Sequence, residues 1–257
     1  MARPGGRWLS GRHEWTERPL AISTGRVALP LARRGITVEG IEGSPLMLEQ
    51  LRARAGGADI PVVLGDMADV AVDGPYDLAY LVFNTFFNLP DQDRQVDCFV
   101  NVGRVLAPGG RFVVEAFIQD LTEFDRNQRV TTRAIDEDSV SMEFLQHDPV
   151  AQAVTYQRVT FDAAGTTLRP LGLRYCWPSE LDLMARLAGM RLRERWDFWD
   201  RTPVHRRQPS PRLGLRAGPG GYGRRMTEPT HLVTATMRQE PGEGLRHPQA
   251  YLFARKP

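Results

Sequence analysis

Cysteine is nearly missing from this 257-residue chain, which holds only Cys98 and Cys176. Two thiols build neither a disulfide framework nor a multi-cysteine zinc module, so buried free thiols are the default and no metal site is expected. No run of about 18 apolar residues occurs, which excludes a spanning helix, and no membrane partner is expected. The opening MARPGGRWLSGRHEW lacks the continuous apolar stretch of a secretory signal, so a cytoplasmic location is the expectation. Lysine is almost absent too. Of 33 basic residues only Lys256 is lysine, which points to a coding sequence rich in G and C. What remains is ordinary globular composition, 42% hydrophobic and 25% charged. The length suits one large domain or one domain with an insert.

The formal charge of +2 conceals a partition along the chain. Residues 1–34 carry +5, residues 201–257 carry +8, and the centre, 35–200, carries −11. The tail 204–257 shows no periodicity, and its PSPRLGLRAGPGGYGRR is turn and breaker chemistry without an apolar face. Such a tail is either a basic arm for an acidic surface or a segment with no selected role. The acidic centre, and the lack of any RNA-binding motif or interleaved aromatic-basic stripe, set a nucleic-acid partner aside.

The centre alternates strands with helices. Ile36–Glu42 is a β-branched alternating run closed by Gly43, and Ser44-Pro45 then caps a helix running to Ala55. Ile60–Leu64 and Tyr76–Val82 are further strands. Gln92–Leu106 has helical spacing and stops at Pro108-Gly109-Gly110, before the strand Arg111–Ile118. Strands separated by helices imply right-handed crossovers and a doubly wound α/β sheet, whose ligands bind beyond the carboxyl ends of the strands. From Thr122 to Cys176 the pattern changes. Gln128–Ala134, Ser139–His147, Ala153–Phe161 and Thr166–Tyr175 are strand-like runs without helices between them, an antiparallel meander placed to act as a lid. A helix from Pro178 to Leu187 and a strand Arg191–Trp196 follow.

A nucleoside lying across a parallel sheet needs a relaxed turn after the first strand, an acid after the second and a polar group after the third. Glu42 ends the second strand, where a carboxylate accepts from both ribose hydroxyls; the bland alternative is a solvated strand-end acid. Asp66-Met67 ends the third, where Asp66 suits an adenine amino group and Met67 flanks the ring. The first turn runs Leu20 to Arg26 and leads into a helix Val27–Arg34. It is not G-x-G-x-x-G, so a dinucleotide pyrophosphate site has little support.

Five stretches carry a family resemblance in the same order: STGRVALPLARRG, VEGIEGSPLMLEQL, VVLGDMADV, YDLAYLVFNTFFNL and VLAPGGRFVVEAF. Over Leu20 to Trp199 the chain resembles the class I S-adenosylmethionine-dependent methyltransferases, particularly small-molecule enzymes of actinobacterial type. The resemblance implies a Rossmann-like seven-stranded sheet, order 3-2-1-4-5-7-6, with the last strand antiparallel. It implies S-adenosyl-L-methionine as cofactor, Glu42 on the ribose, Asp66 and Met67 on the adenine, and Asn84 near the methionine part. Ala21, Ser23, Thr24, Gly25, Arg26, Gly43, Met47, Phe83 and Asn88 complete the implied cofactor set. The insert resembles the β-rich lid of amino-sugar and glycine-type N-methyltransferases. A small-molecule acceptor and a monomer or homodimer go with it. The division so implied is 1–18 unassigned, 19–121 cofactor-binding core, 122–176 lid, 177–203 end of the core and 204–257 basic tail without regular structure.

The sequence also departs from the family. Where the family has E/D-x-G-x-G-x-G, this chain has Pro19 at the acid and Ala21 and Ser23 at the first two glycines, keeping only Gly25. A Cβ stands there where the backbone nears the ligand and positive φ is needed, a loss of roughly 1–3 kcal/mol if strained. Gly43 replaces an apolar residue beside the adenine. After Pro203 the family continues with a phenylalanine and a final strand ending in tyrosine. Here VHRRQPSPRLGLRA stands instead, and synonymous codons read one nucleotide forward restore such an ending. On that reading the tail is frame-shifted and the last strand lost.

The expected chemistry is methyl transfer to a small molecule by in-line displacement, in which the protein positions the partners and excludes water. A base is needed only if the acceptor arrives protonated. The sequence does not identify a catalytic residue; His147, Tyr156 and Glu115 are the candidates, with His147 a base or an exposed turn residue. Tyr156 and Tyr175 line the acceptor pocket or are core, and Glu115 pairs internally or faces the crevice. Phe83, Phe86 and Phe87 wall the site or fill the core. The competing expectation is a cofactor-impaired, non-catalytic protein of the same fold.

Overall fold

The computed structural model describes residues 16–196, 199 and 232–239. Its first half alternates as the pattern predicts: β1 (Thr16–Pro19), α1 (Ala28–Ala32), β2 (Thr37–Val38), β3 (Gly40–Glu42), α2 (Pro45–Arg52), β4 (Val62–Leu64), β5 (Tyr76–Leu81), α3 (Gln92–Val105) and β6 (Leu106–Phe117). The lid strands β7 (Gln128–Ile135), β8 (Ser139–Asp148), β9 (Ala153–Asp162) and β10 (Gly165–Arg174) follow. Then come α4 (Pro178–Leu187), β11 (Met190–Trp196) and β12 (Leu232–Gln239).

Local chemistry sets these boundaries. Ser44 caps α2, its hydroxyl accepting from Met47 N at 3.4 Å, and Pro45 takes the first helical position. Asp91 caps α3 by accepting from Arg94 N at 2.8 Å. The inner face of α3 buries Cys98, Phe99 and Val102 completely. Phe99 packs edge-on against Phe86 and Phe112, at ring separations of 5.3 and 5.2 Å. Phe86 and Phe87 are thus core and wall no ligand site, and Cys98 and Cys176 are buried free thiols.

Hydrogen bonding orders one sheet as β11-β12-β6-β5-β1-β2, while β3 pairs in parallel with β4. Since β3 resumes β2 after Glu39 alone, the two sets join through residues 37–42. The order then reads β4, β3/β2, β1, β5, β6, β12, β11, with β12 antiparallel to both neighbours. Two expectations change here. The first strand begins at Thr16, inside the segment left unassigned. The last strand is not lost: Leu232–Gln239, within the tail expected to lack regular structure, pairs with β6 and β11. Its β-branched run LVTATM was hidden by the breaker-rich residues ahead of it. Residues 204–231 and 240–257 lie outside the described residues. No helix among the described residues is long and apolar enough to cross a membrane.

The insert is a four-stranded antiparallel sheet, β10-β9-β8-β7, with β8 and β9 in unbroken register. A buried polar knot ties it to the core. Arg174, at the end of β10, donates to Gln95 of α3, to Gln152 Oε1 at 3.2 Å and to Glu180 Oε1 of α4 at 2.8 Å. Gln95 Nε2 returns a bond to Arg174 O at 2.9 Å. Burial alone would raise the Glu180 pKa, but hydrogen bonds from Arg174, then Gln152 and Trp177 N–H, outweigh it and hold the carboxyl below its ordinary value. A lowered folded-state pKa contributes stability above the unfolded value of about 4.3 that is lost as pH falls through the folded value. The urea midpoint of the wild type is therefore expected to fall through that acid range, and that of Glu180→Gln to fall less steeply; equal slopes would remove Glu180 from the acid response.

Candidate functional site

Three hollows meet at the carboxyl ends of the parallel strands, around residues 83–88. The largest, about 590 Å³, lies between the ends of β1, β3 and β4. Ala21, Glu42, Gly43, Asp66, Met67 and Asn88 line it, all of them expected cofactor residues. Leu20, Ser44, Gly65 and Thr85 line it too and were not foreseen, because each is a turn or core type that carries no chemical signal. A second hollow of about 130 Å³ takes in Ser23, Arg26 and Phe83. The third, about 250 Å³, lies between the core and the lid and includes Asn84. Thr24, Gly25 and Met47 line none of the three.

Glu42 is the pivot. It is 7% exposed, and its carboxylate accepts from Ser23 N at 2.6 Å and Ser44 N at 2.9 Å. One acid therefore pins the turn after β1 to the turn after β3, and each oxygen keeps capacity for a further hydrogen bond. Ser23 stands at φ 51 and Gly25 at φ 79. Gly25 also admits no Cβ: one would come 2.5 Å from Leu51 Cδ1. The left-handed serine carries the strain that its place in the turn implied. Ser23→Gly is expected to tighten cofactor binding by about 1 kcal/mol, roughly fivefold. Calorimetry checks this, and unchanged affinity would mean that the strain is the same with and without cofactor. Met47 reaches the same turn, its sulfur 3.8 Å from Ser23 Oγ.

Asp66 accepts from Ala68 N at 2.8 Å and pairs with Arg94 of α3 at 3.0 Å. Gly43 and Gly65 face each other across the cleft, a Cβ on Gly43 falling 3.6 Å from Gly65 O. Beyond β5, Phe83 and Asn84 both lie at φ 58. Phe83 N donates to Glu115 Oε2 at 2.8 Å, Asn84 N to Glu115 O at 3.2 Å, and Phe117 N to Asn84 Oδ1 at 2.8 Å. Trp199 Nε1 donates to the other Glu115 oxygen at 3.0 Å. Glu115, 4% exposed, therefore takes the internal alternative and does not face a substrate. Phe83 is half exposed with the Arg26 guanidinium 4.4 Å from its ring centre.

The other two candidate bases also change character. His147 is 7% exposed, so it is no exposed turn residue. Its Nε2 meets Tyr175 Oη at 3.0 Å, its ring packs against Phe124, and it lines none of the three hollows. Tyr156 does line the lid hollow, but burial, then the charge of Glu143, pushes its pKa up to about 12. It is a neutral phenol near pH 7 and no base. The lid hollow instead holds Glu143, 4% exposed, which accepts from Arg133 and, at 3.1 Å, from Arg158. The alternation Ser141-Glu143-Leu145-His147 along β8 was the available signal, since it places one acid on the inward face.

The described site fits S-adenosyl-L-methionine: a preformed cleft beyond the strand ends, a buried acid at its rim and cradling turns with little side-chain bulk. Residues 20–110 match the family model described as a methyltransferase domain. Among solved structures, the chain is 30% identical to the CcbJ methyltransferase from Streptomyces caelestis. That match covers 88% of this chain and 83% of the other, with a TM-score of 0.72. It shares its fold with SAM-bound CalS10, an amino pentose methyltransferase from Micromonospora echinaspora (18% identity, 88% and 84% coverage, TM-score 0.60). The sugar N-methyltransferase KedS8 from Streptoalloteichus is similar in the same way (14%, 88% and 81%, TM-score 0.58). A search of curated proteins found no match. Strand order, cleft and sequence similarity agree, and the chain belongs to the S-adenosylmethionine-dependent methyltransferases.

Proposed function

We propose that this chain methylates an amine of a small molecule that enters beneath the β lid. The supporting observation is the 83–88 turn: Thr85 and Asn88 line the 590 Å³ cleft that contains the buried Glu42, and Asn84 lines the 250 Å³ lid hollow. The fold neighbours that act on an amino pentose and at a sugar nitrogen support an amine acceptor. In this reading Glu42 holds the ribose, Asp66 and Met67 the adenine, and the 83–84 turn the methionine end. The cofactor supplies an activated methyl group. The protein's part is to orient the acceptor, exclude water and leave the proton to solvent.

Titrating S-adenosyl-L-methionine into the purified chain by calorimetry tests this. Heat of binding with a thermal upshift is expected, and neither at millimolar cofactor would end the reading. The second reading, a cofactor-impaired protein, draws on Ser23 at φ 51. It requires weak binding that glycine at Ala21 and Ser23 and an acid at Pro19 restore. Equal affinity in that triple variant dismisses it.

A further inference from the structure

The loop after β6 carries a buried polar atom with no partner. Gln119 is 8% exposed and lines the lid hollow. Its Nε2 donates to Asp120 O at 3.3 Å, while its Oε1 accepts no hydrogen bond from any described residue. Exchanging the amide oxygen and nitrogen would set Oε1 against the Asp120 carbonyl, so the orphan is the acceptor. A buried acceptor without a donor lowers stability, and a ligand that brings the donor recovers that loss.

Two carboxylates around this oxygen are matched by guanidinium groups. From β8, Glu143 is held by Arg133 of β7 and Arg158 of β9; from the 121–123 turn, Glu123 is held by Arg129 of β7. Asp120 accepts from Thr122 N at 2.9 Å and from its hydroxyl. From β9, Tyr156 presents a neutral phenol. An ammonium entering here meets Glu143 and Glu123 already neutralised by guanidinium groups, and a neutral donor meets the open acceptor Gln119 Oε1.

From this geometry we infer that Gln119 Oε1 is the acceptor-positioning group of the lid hollow, receiving an N–H of the substrate amine in its uncharged form. The inference rests on the amine-methylation reading above and deepens it. An amide oxygen orients an amine while favouring its protonated state much less than a carboxylate would, so the nitrogen lone pair stays more available. The amine nitrogen forms the new N–CH₃ bond as the sulfur–methyl bond breaks, sulfur keeping that electron pair. The nitrogen then loses its proton to water. No protein base is required, in keeping with His147 and Glu115 being engaged elsewhere.

The test uses morpholine, a weakly basic ring amine, and N-methylmorpholine, which lacks the N–H when uncharged. Both are titrated into the full chain with S-adenosylhomocysteine present and read by ligand-observed NMR, from neutral pH to above the pKa of each amine. Morpholine binding is expected to strengthen as pH rises through its pKa, with N-methylmorpholine about fivefold weaker in that range. Gln119→Leu should abolish the difference between the probes. Gln119→Glu should reverse the pH preference towards the protonated amine, a change that a merely structural role would not produce. Gln119→Met, volume-matched, should behave like the leucine variant with an unchanged melting temperature. Undetectable morpholine binding to the wild type, tighter binding of the protonated form, or an undisturbed probe difference in both apolar variants overturns the inference. Calorimetry separates the two failures: if S-adenosyl-L-methionine binds and morpholine does not, only the acceptor assignment falls.

Discussion

Glu42→Ala is expected to weaken S-adenosyl-L-methionine binding by about 3 kcal/mol, roughly a hundredfold, and to lower stability as well. The carboxylate accepts two backbone N–H groups, from Ser23 and Ser44, at 2.6 and 2.9 Å. Hydrogen bonds to an ionised, largely buried group contribute about 1.5–3 kcal/mol each, and their loss leaves donors without a partner. The same change frees Ser23 from the bond that holds its left-handed backbone, so the first turn loses the shape of the cleft wall. Glu42→Gln separates the two roles. The amide keeps one acceptor oxygen, so the turns stay partly joined while one contact to the ribose is lost. Calorimetry with S-adenosyl-L-methionine, beside urea unfolding of each variant, reads affinity and stability apart. An alanine variant binding within about threefold of wild type would deny Glu42 a place in the cofactor site.

Glu115→Ala should cost about 3 kcal/mol of stability, a melting-temperature drop of roughly 6–12 °C for a chain of this size. Two consecutive non-glycine residues, Phe83 and Asn84, stand at φ 58, a conformation costing on the order of 1–3 kcal/mol at each. The Glu115 carboxylate holds Phe83 N, its carbonyl holds Asn84 N, and Phe117 N holds the Asn84 side chain. Without the carboxylate, the Phe83 N–H and the Trp199 indole N–H lose their partner together. The 590 and 250 Å³ hollows both draw on this turn, so on the proposed function binding in both should weaken along with stability. Glu115→Gln retains an acceptor for one of the two donors and should fall about midway. Thermal unfolding decides the matter, and an unchanged melting temperature for the alanine variant would show that the turn holds its strain by other means.

Much of the scaffold was readable in one dimension because its signals are local. The Ser44-Pro45 cap, the spacing along Gln92–Val105 and the alternation through the insert each depend on residues within a few positions of one another. Glu42, Asp66 and Met67 were legible for a related reason: ligands sit beyond strand ends, so locating the strands located the residues that follow them. Ser23 was legible as a departure, since a side chain where the turn needs left-handed backbone is a conflict visible in the letters alone. The tail misled by averaging. Its proline, glycine and arginine content masked the short β-branched run of β12, which only pairing with β6 and β11 makes a strand.

The acceptor side was opaque, and the cause is distance along the chain. Glu115 could be read as catalyst or latch until Phe83, 32 positions earlier, and Trp199, 84 positions later, met its two oxygens. His147 could be a base until Tyr175 and Phe124 enclosed it. Gln119 has no motif at all; what marks it is the absence of a partner, which no sequence pattern encodes. The linear chain thus settled the class of fold and the succession of its elements from β2 to β6, and it set Glu42 and Asp66 at or just beyond strand ends that line the cleft. These follow from backbone propensity and alternation, which act between near neighbours. Tertiary structure alone decided which buried polar groups are spent on one another and which, like Gln119 Oε1, find no donor among the described residues. A hydrogen bond is satisfied in space, by whichever donor the fold brings within about 3 Å.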